Sequence, residues 1–293
     1  RGPVSHRSGA AGGAVVRGEP IDPGGPVILC DAEVWEATEV TSYLGDSVAP
    51  LGDLDQDGCD DVPIGAPLED RDNSNQGVVR ILWGAGASCG TTWEMTSLGP
   101  MVNSMQAGEA LAGGYDVDGD RIPDLVVGGD GTVEDGDQLG TVWLVPGSYL
   151  RSLPRVSAPP GPVPDDPLHP LTPTDGHYGL NGPSPTVDFG EAVALVPDAG
   201  SPGTHSVAVG APDGDVGGSF QGGGVYLYRW TDDPFGTGLP GLDPVPWGLV
   251  GGESHVPHGR FGEVLVGGDQ LLIGAPYSSQ GGTQVGGAYA VSF

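Results

Sequence analysis

The chain has 293 residues and carries 39 acidic against 10 basic side chains, a formal net charge of −29. That charge excludes nucleic acid as a partner and disfavours an anionic membrane surface unless divalent cations bridge the two; two such ions would bring it only to about −25. With 37% hydrophobic residues the chain can bury a core as one large all-β domain, 55 Gly and 29 Pro fit a body built of turns, and no apolar run approaches the ~20 residues of a helical membrane span.

In chain order, residues 2–18 resemble the second half of a repeat, and a strand carrying Val34-Trp35 follows. Four segments then open on an aromatic or small residue before glycine: Tyr43-Leu44-Gly45, Ala107-Gly108-Glu109, Phe189-Gly190-Glu191 and Phe261-Gly262-Glu263. Each is matched by a strand closing on a glycine turn: Ile64-Gly65-Ala66-Pro67, Val127-Gly128-Gly129, Val209-Gly210-Ala211-Pro212 and Ile273-Gly274-Ala275-Pro276. The first three opening and closing glycines lie 20 residues apart and the fourth pair 12, so the fourth repeat has lost eight residues of loop. A third strand follows each, at Gly77–Leu82, Gly140–Val145, Gly224–Tyr228 and Gly287–Val291, and a variable fourth carries Trp35, Trp93 or Trp247 as an expected outer edge. Between the second and third repeats, ten prolines fall within residues 153–185 without alternation, which reads as a surface loop or linker-like arm.

Two of the long loops are acidic nonapeptides. Asp53, Asp55, Asp57 and Asp61 stand at positions 1, 3, 5 and 9 of the first, and Asp116, Asp118, Asp120 and Asp124 at the same positions of the second. That spacing wraps a short loop around one hard cation, with the position-7 carbonyls of Cys59 and Ile122 as further oxygens. Without an ion each neighbouring carboxylate pair costs about 1 kcal/mol even in water. The plain alternative is a solvated acidic turn. At position 6 the first loop has Gly58, suited to a left-handed turn, where the second has Arg121. Neither loop is an EF-hand: no bidentate Glu stands at a twelfth position, and the β-branched, proline-bearing flanks make them joints between strands. Counting eight from Gly190 puts Asp198 at position 1 of the third loop, but Gly200, Pro202 and Ser206 follow at positions 3, 5 and 9, so no ion is expected there.

Four short strands per unit, with glycine turns and no convincing helix, describe the radial blades of a β-propeller better than a sandwich. Phe189-Gly190, Ala211-Pro212, Gly224-Val225-Tyr226 and Phe261-Gly262 closely resemble the FG-GAP repeat family, which includes the propeller heads of integrin alpha chains and many bacterial surface proteins. The resemblance covers residues 40–293 and implies two calcium sites, an exported extracellular or cell-surface setting, and adhesion or protein interaction through rim loops. The expected organisation is a partial blade at 1–40, two calcium-loop blades at 41–152, the proline-rich insertion at 153–186, and two blades without intact loops at 187–293. Ring closure stays open. Further blades lie upstream or on another chain, or the Trp35 strand completes the last blade of a smaller ring.

No enzyme is expected. The six histidines are scattered over loops, His255 and His258 being the one close pair, and Glu134, Asp135 and Asp137 read as a solvated turn. Trp35, Trp93, Trp247, Tyr226 and Tyr228 read as packing between blades, with stacking on sugars as the alternative. Cys59 with Cys89 is the first choice of disulfide, Cys30 the competing partner, and three free thiols the remaining possibility. Arg1 is expected to follow a removed export segment. The functional expectation is a calcium-stabilised extracellular adhesion or interaction module; the alternatives are a structural subunit of an extracellular filament or surface complex, and a carbohydrate-binding propeller.

Overall fold

A computed structural model of the chain describes residues 12–15, 33–71, 73–85, 92–131, 139–171, 178–182, 188–215, 222–232, 240–251, 259–280 and 283–293. Its strands form a series of small, mainly antiparallel sheets that follow one another along the chain. The first full sheet takes Val62–Ala66, Val78–Ala85 and Thr92–Gly99, with residues 48–52 attached on its inner side by the single bridges Val48 to Ile64 and Gly52 to Asp61. The second takes Ala110–Tyr115, Asp124–Gly129, Thr141–Val145 and Tyr178–Asn181; the third takes Val193–Pro197, His205–Ala211, Gly224–Tyr228 and Gly248–Gly251. The fourth has three strands, Val264–Val266, Gln270–Ala275 and Gly287–Ser292. The expected all-β, blade-by-blade architecture is what forms. One short helix, Gly147–Ser152, follows the third strand of the second sheet.

The middle strands read as continuous apolar runs because both faces of each sheet are covered. Val79, Ile81 and Trp83 of the first sheet share a buried cluster with Leu125, Val127 and Trp143 of the second. Val126, Val142 and Leu144 on the opposite face of the second sheet pack on Val193, Leu195 and Val207 of the third. Ala194, Ala208 and Leu227 of the third meet Leu271 and Ile273 of the fourth.

The repeated glycines are the seams of this stack. A Cβ on Gly65 would lie 2.0 Å from the carbonyl oxygen of Gly108, one on Gly128 2.2 Å from that of Gly190, and one on Gly210 2.1 Å from that of Gly262. Each closing glycine thus receives the backbone of the next repeat's opening glycine, an approach that admits no side chain. At Gly274 the nearest atoms belong to Val264 of the same sheet, and Val264, Val266 and Leu272 on that outer face are about half exposed. No sheet covers this face among the described residues, and a closed ring is not shown.

Two expectations about the outer strands change. Glu33–Glu36, bearing Trp35, is not an edge: it lies between Gly12–Val15 and Gly161–Pro162. The proline-rich stretch is stitched to the sheets and does not form a free arm. Val156–Ser157 and Leu168–Pro170 pair with Thr92–Gly99, and Tyr178–Asn181 supplies the fourth strand of the second sheet. Ala158, Val163 and Leu171 are buried between its prolines, which accounts for the docking.

Candidate metal centres

The two acidic loops occupy the same place in consecutive sheets, each joining the innermost segment to the next strand. In the first, one carboxylate oxygen from each of Asp53, Asp55 and Asp57 lies within 4.8 Å of the others; in the second, the same holds for Asp116, Asp118 and Asp124. The loops are shaped by their own aspartates. Asp53 accepts the N–H groups of Asp57 at 3.0 Å and Gly58 at 2.9 Å, and Asp116 those of Gly119 at 2.7 Å and Arg121 at 2.9 Å. Asp55 accepts the N–H of Asp57 and Asp57 that of Cys59; Asp118 accepts the N–H of Asp120 and Asp120 that of Ile122.

Each loop needs two left-handed residues, at positions 4 and 6. In the first these are Gln56 at φ 66° and Gly58 at φ 95°; in the second they are Gly119 at φ 87° and Arg121 at φ 71°. The glycine has changed places with a bulkier residue, so Arg121 does not disable the second loop. Each carries one glycine and one strained residue.

The position-9 carboxylates do more than the spacing alone suggests. Asp61 is fully buried and stands outside the Asp53, Asp55, Asp57 group; it accepts the N–H of Leu54 at 2.9 Å and of Gly84 at 3.0 Å. Asp124, also fully buried, accepts from Val117 at 2.7 Å, Asp118 at 3.2 Å and Gly147 at 2.8 Å. Asp120, expected beside Asp116 and Asp118, lies outside the second group. Burial pushes Asp61 and Asp124 up to about 7 against those donors, and burial with the neighbouring Asp120 and Asp116 pushes Asp118 up to about 6. The loops therefore hold negative charge in places that disfavour it, and a cation would reverse that sign. A donor set made only of oxygens, most of them carboxylate, suits a hard ion such as calcium and does not suit zinc, which prefers nitrogen and sulfur.

Several residues that brace the loops carry no motif. Leu54 and Val117, both at position 2, are buried in successive inter-sheet clusters; an apolar residue at that position in both loops was the available signal. The N–H of His205 donates to the carbonyl of Asp116 at 2.9 Å and its ring stacks on Tyr115, so the third sheet clamps the start of the second loop. Arg155 contacts Asp55, and Arg229 contacts Asp198, the lone carboxylate of the third loop, at 2.8 Å. Cys59 is disulfide-bonded, which removes the reading of three free thiols; Cys30 and Cys89 lie outside the described residues. So do His6, His177, His255, His258, Glu134, Asp135 and Asp137. Trp35, Trp93 and Tyr228 are buried, as expected of packing between sheets.

Residues 44–82, which contain the whole of the first loop, match the family model described as FG-GAP repeat. The chain is 40% identical over 87 residues to integrin alpha-7 of Rattus norvegicus, a stretch covering 30% of this chain and 7% of that protein. It is 39% identical over 91 residues to integrin alpha-5 of Xenopus laevis, covering 30% and 8%, and 30% identical over 112 residues to integrin alpha-IIb of Homo sapiens, covering 38% and 11%. The matched stretches are thus a small part of those relatives' length. Among the described residues, no helix is long and apolar enough to cross a membrane.

Proposed function

Since this chain is an FG-GAP-repeat, integrin-alpha-like protein, we propose that it is a calcium-stabilised, non-enzymatic adhesion or protein-interaction module that works outside the cell. The first ion is held by Asp53, Asp55 and Asp57, with Asp61 and the carbonyl of Cys59 completing the set. The second is held by Asp116, Asp118, Asp120 and Asp124 with the carbonyl of Ile122. Calcium supplies the positive charge that four crowded carboxylates lack, and so fixes the joint between the first two strands of each blade.

The observation that carries this reading is the recurrence of one loop design, with the same two left-handed positions and the same buried position-9 anchor, in consecutive blades. Rigid blades with long rim loops suit the binding of a protein partner. The likeness to integrin alpha chains is what supports adhesion and export. A second reading, a subunit of an extracellular filament, is favoured by the uncovered outer face of the fourth sheet at Val264, Val266 and Leu272.

The test is retention of cells or matrix proteins on the immobilised chain, with calcium and with chelator, beside size measurement of the native protein. Calcium-dependent retention by a discrete monomer is the expected result. No retention in either condition contradicts adhesion, and concentration-dependent growth into long assemblies favours the filament.

A further inference from the structure

The first and third repeats share a device that the second lacks. In the third, the guanidinium of Arg229 lies 4.2 Å from the centre of the Trp247 ring and reaches both oxygens of Asp198 at 2.8 Å. In the first, the guanidinium of Arg155 lies 3.6 Å from the centre of the Trp83 ring and its Nη1 meets Oδ2 of Asp55. Asp198 is position 1 of a loop with no other carboxylate at positions 3, 5 and 9, and Arg229 supplies the positive charge beside it. Asp55 is position 3 of an intact loop; its other oxygen, Oδ1, accepts the N–H of Asp57 at 3.1 Å. Among the described residues, no basic side chain forms an ion pair with Asp116, Asp118, Asp120 or Asp124.

Arg155 is held in place from several sides. Pro154 before it accepts a hydrogen bond from Thr96 Oγ1 at 3.0 Å, and Thr96 takes the indole N–H of Trp83 at 3.0 Å. Val156 after it pairs with Met95 in the first sheet. A guanidinium is permanently charged, and its seat over the Trp83 indole restrains it. Its charge therefore stays beside Asp55 whether or not an ion is present.

We propose that Arg155 is the built-in counter-ion of the first loop, a positioning residue that ties down one oxygen of Asp55 and makes this loop the weaker of the two cation sites. The inference rests on the reading that the loops take calcium. Two effects act in the same direction. The guanidinium relieves carboxylate repulsion in the empty loop, and it repels the divalent ion in the filled one. In the third repeat, among the described residues, Arg229 is the basic side chain that pairs with Asp198, in a loop whose positions 3, 5 and 9 carry no carboxylate.

Calcium titration by calorimetry on single-loop variants tests this. Asp118→Ala silences the second loop and Asp57→Ala the first. In the Asp118→Ala background, Arg155→Met is expected to tighten calcium binding about tenfold, and Arg155→Lys, which keeps the charge, to stay within about twofold. Neither change should alter the affinity read in the Asp57→Ala background. In chelator, Arg155→Met should also melt below its parent; if it does not fold, Arg155→Gln serves in its place. Unchanged or weaker binding in the charge-free variant overturns the proposal and leaves the calcium reading intact. An absence of calcium uptake by the Asp118→Ala parent overturns the calcium reading of the first loop, and the proposal with it.

Discussion

Asp124 accepts the backbone N–H of Gly147 at 2.8 Å, which ties the last carboxylate of the second loop to the turn after the third strand of its sheet. Asp61 makes the same tie to Gly84 at 3.0 Å in the sheet before. These carboxylates shape the fold before any ion arrives.

Replacing Asp124 by Ala strands the N–H groups of Val117, Asp118 and Gly147, at about 1–3 kcal/mol each where no water reaches them. Asp124→Ala is expected to lose about 3 kcal/mol or more in chelator, whereas Asp57→Ala, which removes one part-buried bond from the N–H of Cys59, should lose about 1 kcal/mol there. Denaturant titration without calcium reads both. Equal losses would show that position 9 is only a metal ligand.

The exchanged glycines predict a paired result. Gln56→Gly and Arg121→Gly each relieve a left-handed non-glycine residue and should stabilise the calcium-free chain by about 1 kcal/mol. Gly58→Ala and Gly119→Ala should cost a similar amount, through backbone conformation alone, because an added Cβ finds nothing within 4 Å at Gly58 and only Thr204 at 3.7 Å at Gly119. Thermal melts of the four variants check the signs; stabilisation by either alanine contradicts the conformational account.

The seams of the stack are tested by a glycine series. Gly128→Ala and Gly210→Ala push a methyl into backbone 2.2 and 2.1 Å away and should cost about 3 kcal/mol or prevent folding. Gly274→Ala has Val264 as its nearest neighbour, at 3.2 Å, and should cost under about 1 kcal/mol. A Gly274→Ala variant as damaged as the other two would mean that its outer face is covered in solution.

The opening turns add a pH dependence. Burial, then Asp130, Asp46 and Glu191, pushes Glu109 up to about 7; burial also raises Glu191 to about 7, although Arg260 beside it opposes the rise. Between roughly pH 4.5 and 7 the folded chain thus holds protons that the unfolded chain has released, so stability falls as pH rises across that window. In chelator the melting temperature should be higher at pH 5 than at pH 8, and Glu109→Gln should narrow the gap. An equal gap in the variant would remove Glu109 as a source.

Much of this architecture is legible in the sequence because its constraints are local. The opening and closing glycines mark where backbones touch, and the aspartate spacing marks both loops. What is not legible is set by distance or burial. Arg155 and Asp55 are 100 residues apart, so no periodicity links them. Tyr178–Asn181 follows a stretch dense in prolines that breaks the alternation by which strands are read. The anchoring of Asp61 and Asp124 depends on their burial, which the spacing does not encode, and Arg121 reads as a defect until Gly119 is seen to supply the glycine two residues earlier.

Calcium stoichiometry by calorimetry on the native chain, repeated for Asp57→Ala and Asp118→Ala, bears most directly on the central claim. Two ions per chain, falling to one in each variant, with a lower melting temperature in chelator, is the predicted result. No calcium uptake, together with a melting temperature indifferent to chelator, would contradict it.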